Sequence, residues 1–132
     1  RIGSAELYRA VLTLPEVTEA LVVDLPEENG PGQVPMFVTL ADGVELDDEL
    51  VARIKDVVRR ECSPRHVPDR VFAVAELPRT LTGKILEVPV KRLLMGADPD
   101  TVASRDSLAN PAALDAFQQA RTKILDALGL RA

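Results

Sequence analysis

Tryptophan is absent, cysteine and histidine occur once each, and aromatic residues make up only 3% of the chain. A single cysteine, Cys62, allows no intramolecular disulfide and excludes an extracellular disulfide scaffold. The one histidine, His66, has no Cys, His or acidic cluster around it at ligand spacing, so no metal site is expected. No apolar run approaches the ~20 residues that a membrane-spanning helix needs. An excess of basic charge is missing too: 16 Lys and Arg face 21 Asp and Glu, a net charge of −5. That balance argues against non-specific nucleic-acid binding, and no aromatic-basic motif offsets it. A signal-like segment and an initiator Met are also missing. The opening Arg1-Ile2-Gly3 reads as a cut from something longer, and the cytoplasm is the expected compartment.

What remains is 132 residues, 46% of them hydrophobic, enough for one domain with a real core. Val, Leu, Ala and Ile must build that core, with Tyr8, Phe37, Phe72 and Phe117 as its few large pieces. Ser4 can cap a first helix carrying Leu7, Tyr8, Val11 and Leu12 on one face, closed by Pro15. Ala20–Leu25 and Met36–Leu40 read as strands of an antiparallel pair around the breaker-rich stretch Pro26–Pro35. Asp47 starts the clearest helix, with Asp48 and Glu49 in its first turn and Arg59 and Arg60 near its end, as the helix dipole favours. Its buried face is Leu50, Val51, Ile54, Val57 and Val58. A strand over Val71–Ala75 follows the break at Ser63–Pro68. Pro89 is placed at the first position of another helix, stopped by Gly96. Residues 96–109 read as a connector. Asn110-Pro111 then supplies a cap and first residue for a last helix, which Gly129 ends. Its stripe of Leu114, Phe117, Ile124, Leu125 and Leu128 needs a partner, either this domain's own core or another domain. Helices and strands mix without strict βαβ alternation. The expected fold is therefore α+β: a small mixed or antiparallel sheet flanked by helices, with a helical C-terminal extension.

The chemistry concentrates in Leu77-Pro78-Arg79-Thr80-Leu81-Thr82-Gly83-Lys84-Ile85. Glycine frees the backbone to turn or to approach a ligand closely. Lysine is a point charge on a flexible stem, suited to reaching an anionic oxygen or phosphate. An ordinary polar turn with a solvated lysine has the same composition, and Thr-Gly-Lys is common in turns.

Three segments together resemble the C-terminal domain of the acyl-CoA synthetases in the adenylate-forming superfamily. Arg1-Ile2-Gly3-Ser4-Ala5-Glu6-Leu7 is similar to the segment after the family's interdomain hinge. Arg59-Arg60-Glu61-Cys62-Ser63-Pro64 is similar to the approach to its Pro-containing break. Leu77 to Ile85 matches its Pro-x-Thr-x-Ser/Thr-Gly-Lys-Ile loop. The common form places an arginine soon after Gly-Lys-Ile, whereas here Glu87-Val88-Pro89-Val90-Lys91 follows. That continuation, with Ser107-Leu108-Ala109-Asn110-Pro111, resembles the acetoacetyl-CoA synthetases within the family.

The resemblance implies a mobile lid domain over residues 1–96, an extension with one helix over 97–132, and a missing N-terminal adenylation domain as partner. It implies Lys84 as the catalytic lysine, Arg1 and Arg59 as nucleotide- or CoA-binding residues, and Thr80, Thr82 and Gly83 as supports of the loop's shape. It further implies ATP with Mg2+ and CoA as cofactors of the full-length enzyme, none bound by the fragment alone. The fragment is expected to be inactive alone. Lys84 is expected to be acetylated by a protein acetyltransferase and restored by a deacetylase. For Arg59 the residues alone favour plain dipole duty. Acetyl-CoA or other short-chain acyl-CoA synthetases remain the alternative, as does an unrelated α+β interaction module with a chance Thr-Gly-Lys turn.

Overall fold

The computed structural model of the chain describes residues 4–25, 32–98, 101 and 105–129. Its elements are α1 (Ser4–Val11), β1 (Val17–Val22), β2 (Pro35–Leu40), α2 (Asp48–Glu61), β3 (Arg70–Ala73), α3 (Glu87–Leu94) and α4 (Pro111–Ala127). Short 3-10 turns occupy Pro64–His66 and Arg105–Ser107. None of the described helices is long and apolar enough to cross a membrane.

The three strands form one mixed sheet in the order β1-β2-β3. β1 and β2 are antiparallel, with Ala20 opposite Val38 and Val22 opposite Met36. Pairing continues past the strand ends, where Leu25 and Gln33 exchange both backbone hydrogen bonds at 2.8 and 2.9 Å. β2 and β3 are parallel, which requires a crossover, and α2 supplies it.

β2 is buried from Pro35 to Thr39, so both faces of the sheet are covered. On one face Met36 and Val38 join Ala20, Leu7 and Val11 of α1, and Leu50, Ile54 and Val58 of α2. On the other, Phe37 and Leu21 join Val90, Leu93 and Leu94 of α3 with Leu114, Phe117 and Leu125 of α4. The result is a three-layer α/sheet/α arrangement, an α+β fold as expected. The apolar stripe of α4 is covered by this chain's own sheet and by α3.

Local physics explains the element ends. Asp47 caps α2 by accepting a hydrogen bond from the Leu50 N–H at 2.8 Å. The Arg53 guanidinium pairs with Glu16, and that hydrogen bond holds the Glu16 carboxyl below its usual range. Gly96 and Gly129 follow α3 and α4 with φ of 108° and 76°, the left-handed conformation that ends helices.

The differences from the sequence reading are also physical. β1 begins at Val17 because the register opposes Val17 with Leu40, although Thr18 and Glu19 break the apolar run. α3 begins at Glu87, two residues before Pro89. Proline fits there because first-turn N–H groups have no intrahelical acceptor. The side-chain cap expected at Ser4 lies outside the described side chains, and Arg1 and residues 26–31 lie outside the described residues.

Candidate functional site

The lysine loop leaves the sheet through two buried residues. β3 ends at Ala73, and the chain then sinks Leu77, fully buried, and Pro78 into the core. From this anchor it forms a small hairpin. Arg79 pairs with Ile85, the Thr80 N–H donates to the Lys84 carbonyl at 2.9 Å, and the Gly83 N–H donates to the Thr80 carbonyl at 2.9 Å. This is a three-residue hairpin loop closed by a residue in the left-handed region. Gly83 supplies it with φ of 92°. A β-carbon there would meet no atom within 4 Å, so glycine is needed for backbone conformation and not for space.

The threonines brace the turn. Thr80 Oγ1 accepts from the Lys84 N–H at 3.1 Å and shares a 2.9 Å hydrogen bond with Thr82 Oγ1. Lys84 is exposed at the end of this hairpin. Its backbone is therefore held on both sides while its ammonium can reach outward.

Further contacts close the base of the hairpin and fix it to the body. Arg79 pairs with Glu19 on β1. Leu86 donates its N–H to the Pro78 carbonyl at 3.1 Å. On its outer edge, residues 107–110 lie alongside in extended fashion, joined by an isolated antiparallel bridge that sets Thr80 opposite Leu108. The Leu81 N–H donates to the Ser107 carbonyl at 3.1 Å, and the Ala109 N–H to the Arg79 carbonyl at 2.9 Å. The Asn110 side chain completes the edge: its Oδ1 accepts from the Arg79 N–H at 3.0 Å and its Nδ2 donates to the Leu77 carbonyl at 2.9 Å. The stretch read as a plain connector thus ends in a structural partner of the lysine loop.

Beside Lys84 runs a groove of 890 Å³ between α1, β1 and the start of α3. Leu12, Ala20, Ile85, Val88 and Pro89 give it an apolar wall, and Lys84 stands at its lip. Tyr8 contributes a polar point within it. The Tyr8 hydroxyl accepts from the Val22 N–H at 3.0 Å and donates to the Glu87 carboxylate. The groove can therefore hold an apolar body while offering Lys84 to a negative group at its edge.

Arg59 lies exposed in the last turn of α2 and is not among the residues lining this groove. Its neighbour Arg60 pairs with Asp56 at 3.0 Å. Among the described residues no group of three or more His, Cys, Asp or Glu is placed to hold a metal ion. Tyr8, Glu19, Glu87 and Asn110 escaped sequence reasoning: Tyr8 and Asn110 looked like a core aromatic and a helix cap, and Glu19 and Glu87 fell just ahead of the strand and helix starts expected at Ala20 and Pro89.

A profile of the AMP-binding enzyme C-terminal domain matches residues 6–84, the last of which is Lys84. The chain belongs to that family. Acetoacetyl-coenzyme A synthetase of Rhizobium meliloti is 45% identical over 117 residues, covering 89% of this chain and 17% of that protein. Acetoacetyl-CoA synthetase of Caenorhabditis elegans is 38% identical over 122 residues, covering 92% and 17%. Among solved structures, acetoacetyl-CoA synthetase from Streptomyces lividans superposes with a TM-score of 0.86 at 45% identity, covering 94% of this chain and 18% of that one. A Brucella canis acyl-CoA synthetase gives 0.60 at 37% identity over 72% of this chain. This AMP-binding C-terminal domain thus spans about a sixth of the length of the relatives it matches.

Proposed function

We propose that this chain is the C-terminal portion of an acetoacetyl-CoA synthetase, and that Lys84 is its catalytic lysine for adenylation. The observation that carries this reading is the presentation of Lys84: an exposed ammonium on a braced, glycine-closed hairpin at the lip of a groove, where the family match ends. The preference for acetoacetate is supported by the Streptomyces likeness, which extends over 94% of the chain and so takes in residues beyond the family domain.

The reaction has two steps. The acetoacetate carboxylate attacks the α-phosphorus of ATP, forming acetoacetyl-adenylate and releasing diphosphate. The CoA thiolate then attacks the acyl carbon and expels AMP. The first step brings an anion to a polyanion, so a positioned cation offsets the repulsion and stabilises charge in the transition state. Lys84 supplies that cation. Thr80, Thr82 and Gly83 hold its backbone and do not touch reacting atoms. Magnesium accompanies ATP, and no step of this chain's own residues runs through it. Arg1 and Arg59 are assigned to the nucleotide and CoA phosphates on their match to family positions. Residues 1–96 act as the moving lid and 97–132 as its extension. Domain movement between the steps takes Lys84 away and brings another face to CoA. The fragment alone makes no acyl-adenylate, because one lysine without a nucleotide pocket cannot position the reactants.

The same exposure makes Lys84 a control point. Transfer of an acetyl group from acetyl-CoA to Nζ, with loss of a proton and release of CoA, removes the positive charge and with it the adenylation step. A deacetylase restores it.

The test is Lys84→Ala in the full-length enzyme. Acetoacetate-dependent pyrophosphate exchange should fall by about 10²- to 10³-fold, the usual effect of removing one charge-stabilising donor. Thioester formation from supplied acetoacetyl-adenylate should persist. Undiminished exchange would sink the assignment.

A further inference from the structure

We infer that Asn110 is a positioning residue for Lys84, acting through the backbone of the loop's entry strand. The inference rests on the reading of Lys84 given above and adds a residue that lies outside the matched family domain.

Asn110 occupies the N-cap position of α4, where asparagine is among the favoured residues because its side chain can accept from the first free N–H groups. Here it makes no such cap hydrogen bond. Its amide is turned away from α4 and onto the lysine loop, accepting from the Arg79 N–H and donating to the Leu77 carbonyl.

The sequence explains why a side chain is used. The antiparallel register that opposes Thr80 with Leu108 puts residue 111 opposite Leu77. In an unbroken ladder the N–H of residue 111 would donate to the Leu77 carbonyl. Residue 111 is proline and has no N–H. A primary amide carries donor and acceptor in one plane, like a peptide group. Asn110 Nδ2 therefore supplies the missing donor, and Oδ1 takes the N–H of Arg79 on the same edge. Leu77 is wholly buried, so no water is at hand to replace that donor.

The clamp reaches Lys84 in two short steps. Asn110 fixes Arg79 and Leu77; Arg79 pairs with Ile85, and the Thr80 N–H holds the Lys84 carbonyl at 2.9 Å. Loosening the outer edge lets the hairpin shift as a unit relative to the sheet. Displacement of a catalytic group by about 1 Å can cost on the order of 10²-fold in rate, so this edge bears on chemistry as well as on folding.

The experiment separates clamp from cap. In the full-length enzyme, Asn110→Asp and Asn110→Ser both keep a good N-cap residue, but an ionised carboxylate cannot donate to Leu77, and the one short hydroxyl of serine does not replace the separate nitrogen and oxygen that reach Leu77 and Arg79. Pyrophosphate exchange should fall about 10- to 100-fold in kcat for both, with KM for ATP and thioester formation from supplied acyl-adenylate near wild type and Tm lowered only by the unpaired Leu77 carbonyl. If both variants exchange at the wild-type rate, the Asn110 amide does not position Lys84 and the inference is overturned. If both half-reactions fall in step with Tm, its role is general stability and the inference is likewise overturned. Lys84→Ala runs alongside. Should that variant keep full exchange, the reading of Lys84 fails and takes this inference with it, a result distinguishable from failure at Asn110 alone.

Discussion

The Phe117 ring meets the Phe37 ring edge-on, with centroids 4.9 Å apart and planes inclined by 80°. Phe72 stacks on Phe37 at 5.5 Å and 20°. These three rings join α4 to the middle and edge of the sheet, so the last helix is part of the core and its stripe is not left for another molecule. Phe117 is also nearly inaccessible, at 2% exposure. Phe117→Ala should then cost about 3–5 kcal/mol. Urea unfolding of the chain measures it, and a loss under about 1 kcal/mol would mean that α4 packs loosely.

Gly83→Ala isolates the backbone requirement of the loop. The added methyl has open space, so the strain comes only from the positive φ of 92°. Placing an ordinary residue there costs roughly 1–2 kcal/mol, a small shift in Tm. Adenylation should suffer more than stability, because the hairpin can relieve strain by moving Lys84. Equal activity at wild-type level would show that the turn tolerates the change without displacing the lysine.

For Arg59 the expected outcome is selective. Arg59→Glu in the full-length enzyme should raise the CoA concentration needed for half-maximal thioester formation more than it raises that for ATP. The residue is exposed at the end of α2 and does not line the groove beside Lys84, which suits a role in the second step. Steady-state titration of each substrate decides it. Unchanged CoA dependence would leave Arg59 with its favourable placement at the helix C-terminus.

Acetylation should favour Lys84 over Lys55, Lys91 and Lys123 when the chain is incubated with a protein acetyltransferase and acetyl-CoA. Lys84 is exposed on a fixed hairpin, and Gly83 leaves one flank without a side chain. Mapping by mass spectrometry gives the distribution. Even labelling of the other three lysines with Lys84 untouched would defeat the proposal.

Much of the fold was legible because its signals are local. The α2 boundaries follow from Asp47 and the charge gradient, and the α4 stripe from helical spacing. What could not be read was pairing across the chain. The parallel alignment of β3 with β2 depends on α2 lying across the sheet, and nothing in Val71–Ala75 states its direction. The lysine loop itself stood out by composition. Its supports did not, because Glu19, Tyr8 and Asn110 are drawn from three distant segments and each satisfies a plausible local role. Asn110-Pro111 is the instructive case: the pair correctly marked a helix start, and the proline is what sends the asparagine's amide elsewhere.

The pairing of segment 107–110 with the hairpin has a consequence for biosynthesis. A ribosome releases Lys84 well before Asn110, and at about 5–20 residues per second the interval is on the order of a second or more. Throughout that interval the outer edge of the hairpin has no neighbour, and the Leu77 carbonyl waits for its donor. The lysine loop is therefore finished late, by residues translated well after it. A nascent chain stalled before Ser107 would carry every residue of the matched family domain and still present an unfinished loop.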